Sequence, residues 1–171
     1  ELENELSKYR SNDVKKIDCI VGFSGGRDSS YLLHLLVKKY NMNPLWVTIR
    51  PPLPSKLGDE NLQNFSDCGY PLISVEPGYK AMQVLNKTGF FEMGFPYYGW
   101  LIAIQSIPVS FASKFGINLI FYGEDGEVEY GGTNETKKNI FYTAEYQKKI
   151  YLENHYNFII NKSKLKKSDK Y

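Results

Sequence analysis

The strongest constraint in this sequence lies in residues 17 to 36, IDCIVGFSGGRDSSYLLHLL. Residues 17 to 23 form a short apolar run of the kind that makes a buried strand, and Ser29 to Tyr40 carry Leu32, Leu33, Leu35, Leu36 and Val37 on one broad face of a helix. Between them sit two glycines, an acid and hydroxyls, so the chain passes from strand to helix through a short loop. Gly25 and Gly26 lack side chains, which lets backbone N–H groups close around an anion. The start of a helix adds unpaired N–H groups and a positive dipole end. That arrangement suits phosphate. The dipole contributes up to ~2 kcal/mol, so the hydroxyls of Ser24 and Ser29 and a cation have to add to it. Asp28 is the expected holder of the cation, because a carboxylate beside phosphate is repelled unless Mg2+ lies between them. The plain alternative is an ordinary capped turn that contains Gly-Gly.

Strands and helices alternate further along. "PLWVTIR", residues 44 to 50, predicts a second strand, which the Pro-rich "RPPLPSKLG" cannot continue. "GDENLQNFSDCG" predicts a short helix ending near Gly69, "PLISVEP" at 71 to 77 a third strand, and "YKAMQVLNKTGFFEMG" another helix. Residues 97 to 116 predict a long apolar helix bent by Pro108 and closed by Gly116. "NLIFYGEDGE" predicts a fourth strand running into an acidic turn, and residues 143 to 156 a last amphipathic helix capped by Thr143. The alternation implies an α/β fold, a doubly wound and mainly parallel sheet covered on both faces. Ligands of such sheets sit beyond the carboxyl ends of the strands. The loops Ser24 to Ser29 and Gly123 to Glu129 both follow strands and are expected on that edge.

One main domain is expected from 171 residues, with an N-terminal extension over 1 to 16, the α/β domain over 17 to 160 and a basic tail over 161 to 171. The 21 basic residues nearly balance the 19 acidic ones, leaving +2, which argues against a general binder of polyanions. Cys19 and Cys68 are far apart, so neither a metal-binding pair nor a disulfide framework is visible, and a reducing, cytoplasmic setting fits. No apolar run approaches the roughly 18 residues of a membrane span, and the charged start "ELENELSKYR" lacks a signal peptide's hydrophobic segment. The sequence begins without Met and is read as a processed or excised piece.

The loop is not a Walker A motif, since no Gly-Lys-Ser/Thr follows the glycines, and it is not GxGxxG. "SGGRDS", residues 24 to 29, instead resembles the SGGxDS loop of the N-type ATP pyrophosphatases, the PP-loop superfamily, whose enzymes adenylate a carbonyl or urea-like oxygen. Five specified residues recur by chance in roughly one window per million, so the match is specific. "GFSGGRDSSYLLHLL", "LGDENLQNF", "GWLIAI" and "LIFYGEDGEVEYGG" are together similar to the N-acetyl sugar amidotransferase family, which makes acetamidino sugars for bacterial surface polysaccharides such as O-antigen. The similarity runs from about residue 17 to 155. Members of the family carry further cysteines that look metal-binding and continue toward the carboxyl end, so this chain resembles their nucleotide-binding core or a short version.

The resemblance implies a three-layer sandwich of the adenine nucleotide alpha hydrolase type (HUP, Rossmann-like), with ATP and Mg2+ as cofactors. It gives Ser24, Asp28 and Ser29 catalytic roles and assigns Ser24, Gly25, Gly26, Arg27, Asp28, Ser29 and Gly123 to the nucleotide. The end of the second strand, Val47, Thr48 and Ile49, is expected to contact adenine and ribose, with sheet core as the plain alternative for Val47. Asp28, Glu124 and Asp125 are the expected metal ligands. Glu127 and Glu129 are expected to face the sugar, with Tyr98 and Trp100 stacking on it. Four acids within six residues repel one another unless a divalent cation or a hydroxyl-rich substrate offsets the repulsion. A solvated acidic loop is the plain alternative there, and core packing is the alternative for Tyr97, Tyr98 and Trp100. Arg50 either reaches phosphate or is exposed, Lys137 and Lys138 either neutralise pyrophosphate or are plain surface charge, and His34 reads as an ordinary helical position.

The implied reaction is adenylation of the acetamido oxygen of an N-acetylated, UDP-linked sugar, followed by displacement of AMP by ammonia. Cys19 lies within the first strand and is poorly placed as a glutaminase nucleophile, so a separate glutaminase subunit is the expected ammonia source. Nucleic acid and membrane are not expected as partners, and a homo-oligomer is left open. Two alternatives stand beside this reading: a PP-loop tRNA-modifying enzyme of the thiolation or lysidine type, and a nucleotide-binding module without catalysis.

Overall fold

The computed structural model describes residues 2–123 and 141–166. Four strands, β1 (Cys19–Gly22), β2 (Pro44–Ile49), β3 (Leu72–Val75) and β4 (Ile120–Tyr122), form one sheet in the order β3-β2-β1-β4. Every pairing is parallel: Val21 lies opposite both Trp46 and Phe121, and Val47 opposite Ile73. Parallel neighbours need crossovers, which α2 (Arg27–Lys38) supplies between β1 and β2 and α3 (Lys56–Ser66) between β2 and β3. The remaining helices are α1 (Leu2–Leu6), α4 (Tyr79–Met93), α5 (Tyr98–Phe115), α6 (Ala144–Lys149) and α7 (Tyr156–Ser163). This is the doubly wound α/β architecture that the alternation of elements predicts.

The chain forms two compact units. One holds the sheet and comprises the described residues of Glu1–Val75 and Ser106–Glu124; the other comprises those of Glu76–Gln105 and Asp125–Tyr171. In the sheet unit, alternation sends Cys19, Val21 and Phe23 to one face, where they meet Leu33 and Leu36 of α2, Trp46 and Leu119. The Trp46 ring stacks on Tyr70 at 5.2 Å and meets Phe23 and Phe65 at 5.0 and 5.5 Å between centroids. Ile20 and Val47 take the other face and are buried as well. Burial on both faces is why β1 and β2 read as continuous apolar runs instead of alternating ones. The N-terminal stretch is tied to this unit: Leu6 joins the core, and the buried Asp18 carboxylate accepts from Ser11 N–H at 2.7 Å and Asn43 N–H at 2.9 Å.

The second unit packs α4 against α7 around Leu85, Tyr98 and Ile159. Helix α4 and the first turn of α5 approach so closely that a Cβ on Gly89 would fall 2.5 Å from that of Tyr98. Two boundaries differ from expectation. The helix predicted over 143 to 156 ends early: α6, capped by Thr143 Oγ1 accepting from Tyr146 N–H at 3.1 Å, stops at Lys149, and α7 begins only at Tyr156. Glu153 and Asn154 turn left-handed between them, at φ 49° and 58°, which no helix accommodates. The stretch read as a basic tail begins inside α7, whose Ile159 is fully buried.

Burial pushes the Cys19 thiol from its ordinary 9.0 up to about 12, helped by the charge of Asp18, and pushes the Tyr122 phenol from 10.0 up to about 12. Both groups stay protonated in the folded chain while the unfolded chain releases their protons at the ordinary values. Stability is therefore full below pH 9 and falls as pH rises from 9 toward 12. Each group adds a slope of at most about 1.4 kcal/mol per pH unit. Urea denaturation across this range is expected to show that decline, and Cys19→Ala is expected to move its onset toward pH 10, where Tyr122 takes over.

Candidate functional site

Between the end of β1 at Gly22 and the start of α2 at Arg27 the chain makes one tight turn. Gly25 adopts φ +77°, a left-handed conformation that glycine enters without the Cβ penalty. Gly26 follows at the N-cap with φ −76° and ψ 166° and offers no side-chain cap. The first N–H groups of α2, on Arg27, Asp28 and Ser29, thus have no capping oxygen from that position.

Hydroxyls organise the rest of the turn. Ser24 Oγ accepts from Gly26 N–H at 3.2 Å and lies 3.1 Å from Ser29 Oγ. Ser29 Oγ accepts from Ser24 N–H at 3.4 Å and donates to the Gly26 carbonyl at 3.2 Å, to which Ser30 Oγ also donates at 2.6 Å. Gly123, just past β4, runs against the same turn: a Cβ there would lie 3.0 Å from Ser29 N and Cα. The structure thus brings together Ser24, Gly25, Gly26, Arg27, Asp28, Ser29 and Gly123, all expected at the nucleotide. A cradle of backbone N–H groups, two serine hydroxyls and a helix start with no side-chain cap fits a phosphate group.

Asp28 stands exposed at the first turn, its Oδ1 accepting from Arg27 Nε at 3.0 Å. Both side chains are well solvated, so the pair adds little to stability, and the carboxylate is accessible to a cation. Among the described residues no group of three or more His, Cys, Asp or Glu is close enough to hold a metal ion. The other expected ligands, Glu124 and Asp125, lie outside the described residues, as do Glu127, Glu129, Lys137 and Lys138.

Val47 sits below the strand end and is buried, its carbonyl accepting from Phe23 N–H at 3.0 Å, so its position is that of a sheet residue. Thr48 and Ile49 complete β2 and are also buried. Arg50 follows them, and its guanidinium pairs with Asp59 of α3. Tyr98 belongs to the second unit and is 1% exposed, its hydroxyl donating to the Leu152 carbonyl at 2.7 Å. A ring so enclosed presents no face to a sugar; burial, with Glu153 and Tyr156 nearby, pushes its phenol up to about 12. Trp100 is half-buried on α5 in the same unit, and His34 is exposed on α2. The Cys19 thiol is fully buried and its raised pKa keeps it from the thiolate state a nucleophile needs.

Two residues at the loop escaped the sequence reading. Ser30 continues the hydroxyl series, and its spacing from Gly26 is that of a helical back-bond. Asn61, on α3, donates from Nδ2 to the Gly25 carbonyl at 3.1 Å. It lies within "LGDENLQNF", where the helix reading gave no reason to separate it from its polar neighbours.

No protein-family model matches the chain, and no curated protein matches it. Among solved structures it is similar to the crystal structure of a predicted subunit of tRNA methyltransferase from Methanocaldococcus jannaschii, at a TM-score of 0.45 and 18% identity over 86% of this chain and 74% of that one. Among the described residues no helix is long and apolar enough to cross a membrane.

The two loop glycines differ in what a methyl group would do. At Gly25 the space is adequate, with Asn61 Cβ 3.4 Å away, but the left-handed φ is not. Gly25→Ala is expected to lower stability by about 1–2 kcal/mol in urea denaturation. Gly26→Ala is expected to lower it by less, because φ −76° suits any residue and the Cβ would meet only the Ser24 hydroxyl, at 3.1 Å.

Proposed function

We propose that the chain is an ATP-dependent amidotransferase that releases pyrophosphate from ATP while adenylating the acetamido oxygen of an N-acetylated, UDP-linked sugar. The observation that carries the reading is the turn from Ser24 to Ser29, where a left-handed glycine, two hydroxyls and a helix start without a side-chain cap converge at the end of a parallel strand. This geometry supports, for the proposal, a phosphate-bearing ligand. The acceptor follows from the resemblance of "SGGRDS" and "LIFYGEDGEVEYGG" to the sugar amidotransferases.

The amide oxygen attacks the α-phosphorus, the bond from that phosphorus to the bridging oxygen breaks, and pyrophosphate leaves into the loop. The acetamido carbon is then bonded to an adenylated oxygen. Ammonia adds to that carbon, AMP departs with the electron pair of the C–O bond, and proton loss or retention leaves an acetamidine or its amidinium. Adenylation is what makes the second step feasible, since an amide oxygen otherwise leaves poorly. The N–H groups at the start of α2, with Ser24 and Ser29, meet the negative charge that grows on the departing diphosphate. Asp28 would hold Mg2+, which would neutralise part of that charge. Ammonia comes from a separate glutaminase subunit in this scheme, since the thiol of Cys19 is buried and protonated.

Pyrophosphate release measured with ATP, magnesium, ammonium and a panel of UDP-N-acetyl sugars tests the reading. Release that requires both sugar and ammonium is expected. Release that ignores sugars and depends on tRNA would transfer the chain to tRNA modification, and no release with any acceptor would leave a binding module. Asp28→Ala is expected to cut turnover at least about 100-fold while leaving the melting curve in place, because the side chain is exposed.

A further inference from the structure

The peptide between Gly25 and Gly26 has a glycine on each side, so no flanking Cβ restricts its rotation. Its orientation matters, because a trans peptide points its N–H and C=O in opposite directions. In the described turn the N–H end, on Gly26, points to Ser24 Oγ, 3.2 Å away and inside the loop. The C=O end, on Gly25, points to Asn61 Nδ2, 3.1 Å away on α3. Rotating this peptide by half a turn would aim a carbonyl oxygen into the space an anion must occupy. The partner of Asn61 is a carbonyl, which fixes the side-chain amide as donor.

We infer that Asn61 is a positioning residue that locks the Gly25–Gly26 peptide in its anion-accepting orientation. The inference rests on the proposed function for its ligand, but its structural half stands on the free protein. Helix α3 makes a firm post for this purpose. Ser55 caps it by accepting from Gly58 N–H at 3.0 Å, Asp59 pairs with Arg50 at the end of β2, and Leu62 packs against the core beside Gly25. Asn61 therefore reaches the loop from a helix fastened at its start, at the sheet edge and at the core. A net intramolecular hydrogen bond shifts an equilibrium about two- to twelvefold, and that is the effect expected on anion affinity.

Two measurements on the full chain decide it. Calorimetry with inorganic pyrophosphate and magnesium is expected to show binding weakened about two- to twelvefold in Asn61→Ala. The loss is expected to be greater in Asn61→Asp, whose carboxylate cannot donate and faces the Gly25 carbonyl. Asn61→Gln keeps an amide donor and is expected to bind more tightly than Asn61→Ala. Amide NMR of the free protein is expected to show the Gly26 resonance shifted or exchange-broadened in Asn61→Ala, with the signals of β1 and β2 in place. A Gly26 resonance identical to wild type would overturn the inference whatever the ligand. Equal pyrophosphate affinity in wild type and Asn61→Ala would overturn it too while leaving the proposed function standing. Wild-type protein that takes up no pyrophosphate would sink the proposed function, and the Gly26 resonance would still decide the role of Asn61.

Discussion

Parallel pairing of β1 with β2 on one side and β4 on the other is the constraint on which the rest depends. Parallel neighbours force each connection to cross the sheet and return, so all strands deliver their carboxyl ends to the same edge. That is how Gly123, about a hundred residues after Ser24, comes to lie against the first turn of α2. An antiparallel hairpin would have sent β2 to the other edge. Chemistry built from distant segments at one edge is a result of topology before it is a result of any side chain.

Helix α3 has two duties within this scheme. Its apolar side, through Leu62 and Phe65, completes the aromatic cluster around Trp46 on one sheet face. Its polar side holds Arg50 through Asp59 and the loop through Asn61. Stability and site geometry are thus carried by neighbouring turns of one element, and damage to its packing would be felt at the loop.

Much of this was legible in the sequence because its causes are local. The runs at 17 to 23 and 44 to 50 are apolar without alternation because both faces of their strands are covered, and the glycines and serines between strand and helix specify a turn by their own conformational preferences. The early end of the helix predicted over 143 to 156 was not legible: its apolar spacing suits one helix, and the break depends on left-handed turns at Glu153 and Asn154, types that ordinarily sit in helices or loops alike. The choice between sugar platform and core packing for Tyr98 was not legible for a related reason, and the structure places it in the core. An aromatic residue near a helix start looks the same in sequence whether its hydroxyl meets solvent or, as here, the Leu152 carbonyl. Asn61 stayed hidden because its partner is a backbone oxygen 36 positions away, which leaves no periodic trace.

The mutual bonding of Ser24, Ser29 and Gly26 bears on what a ligand there would have to displace. The Gly26 N–H already has the Ser24 hydroxyl as its acceptor, so a guest that uses this donor has to exchange one contact for another. The N–H groups at the start of α2 have no side-chain cap from Gly26, so the two halves of the turn differ in what they would ask of a visitor.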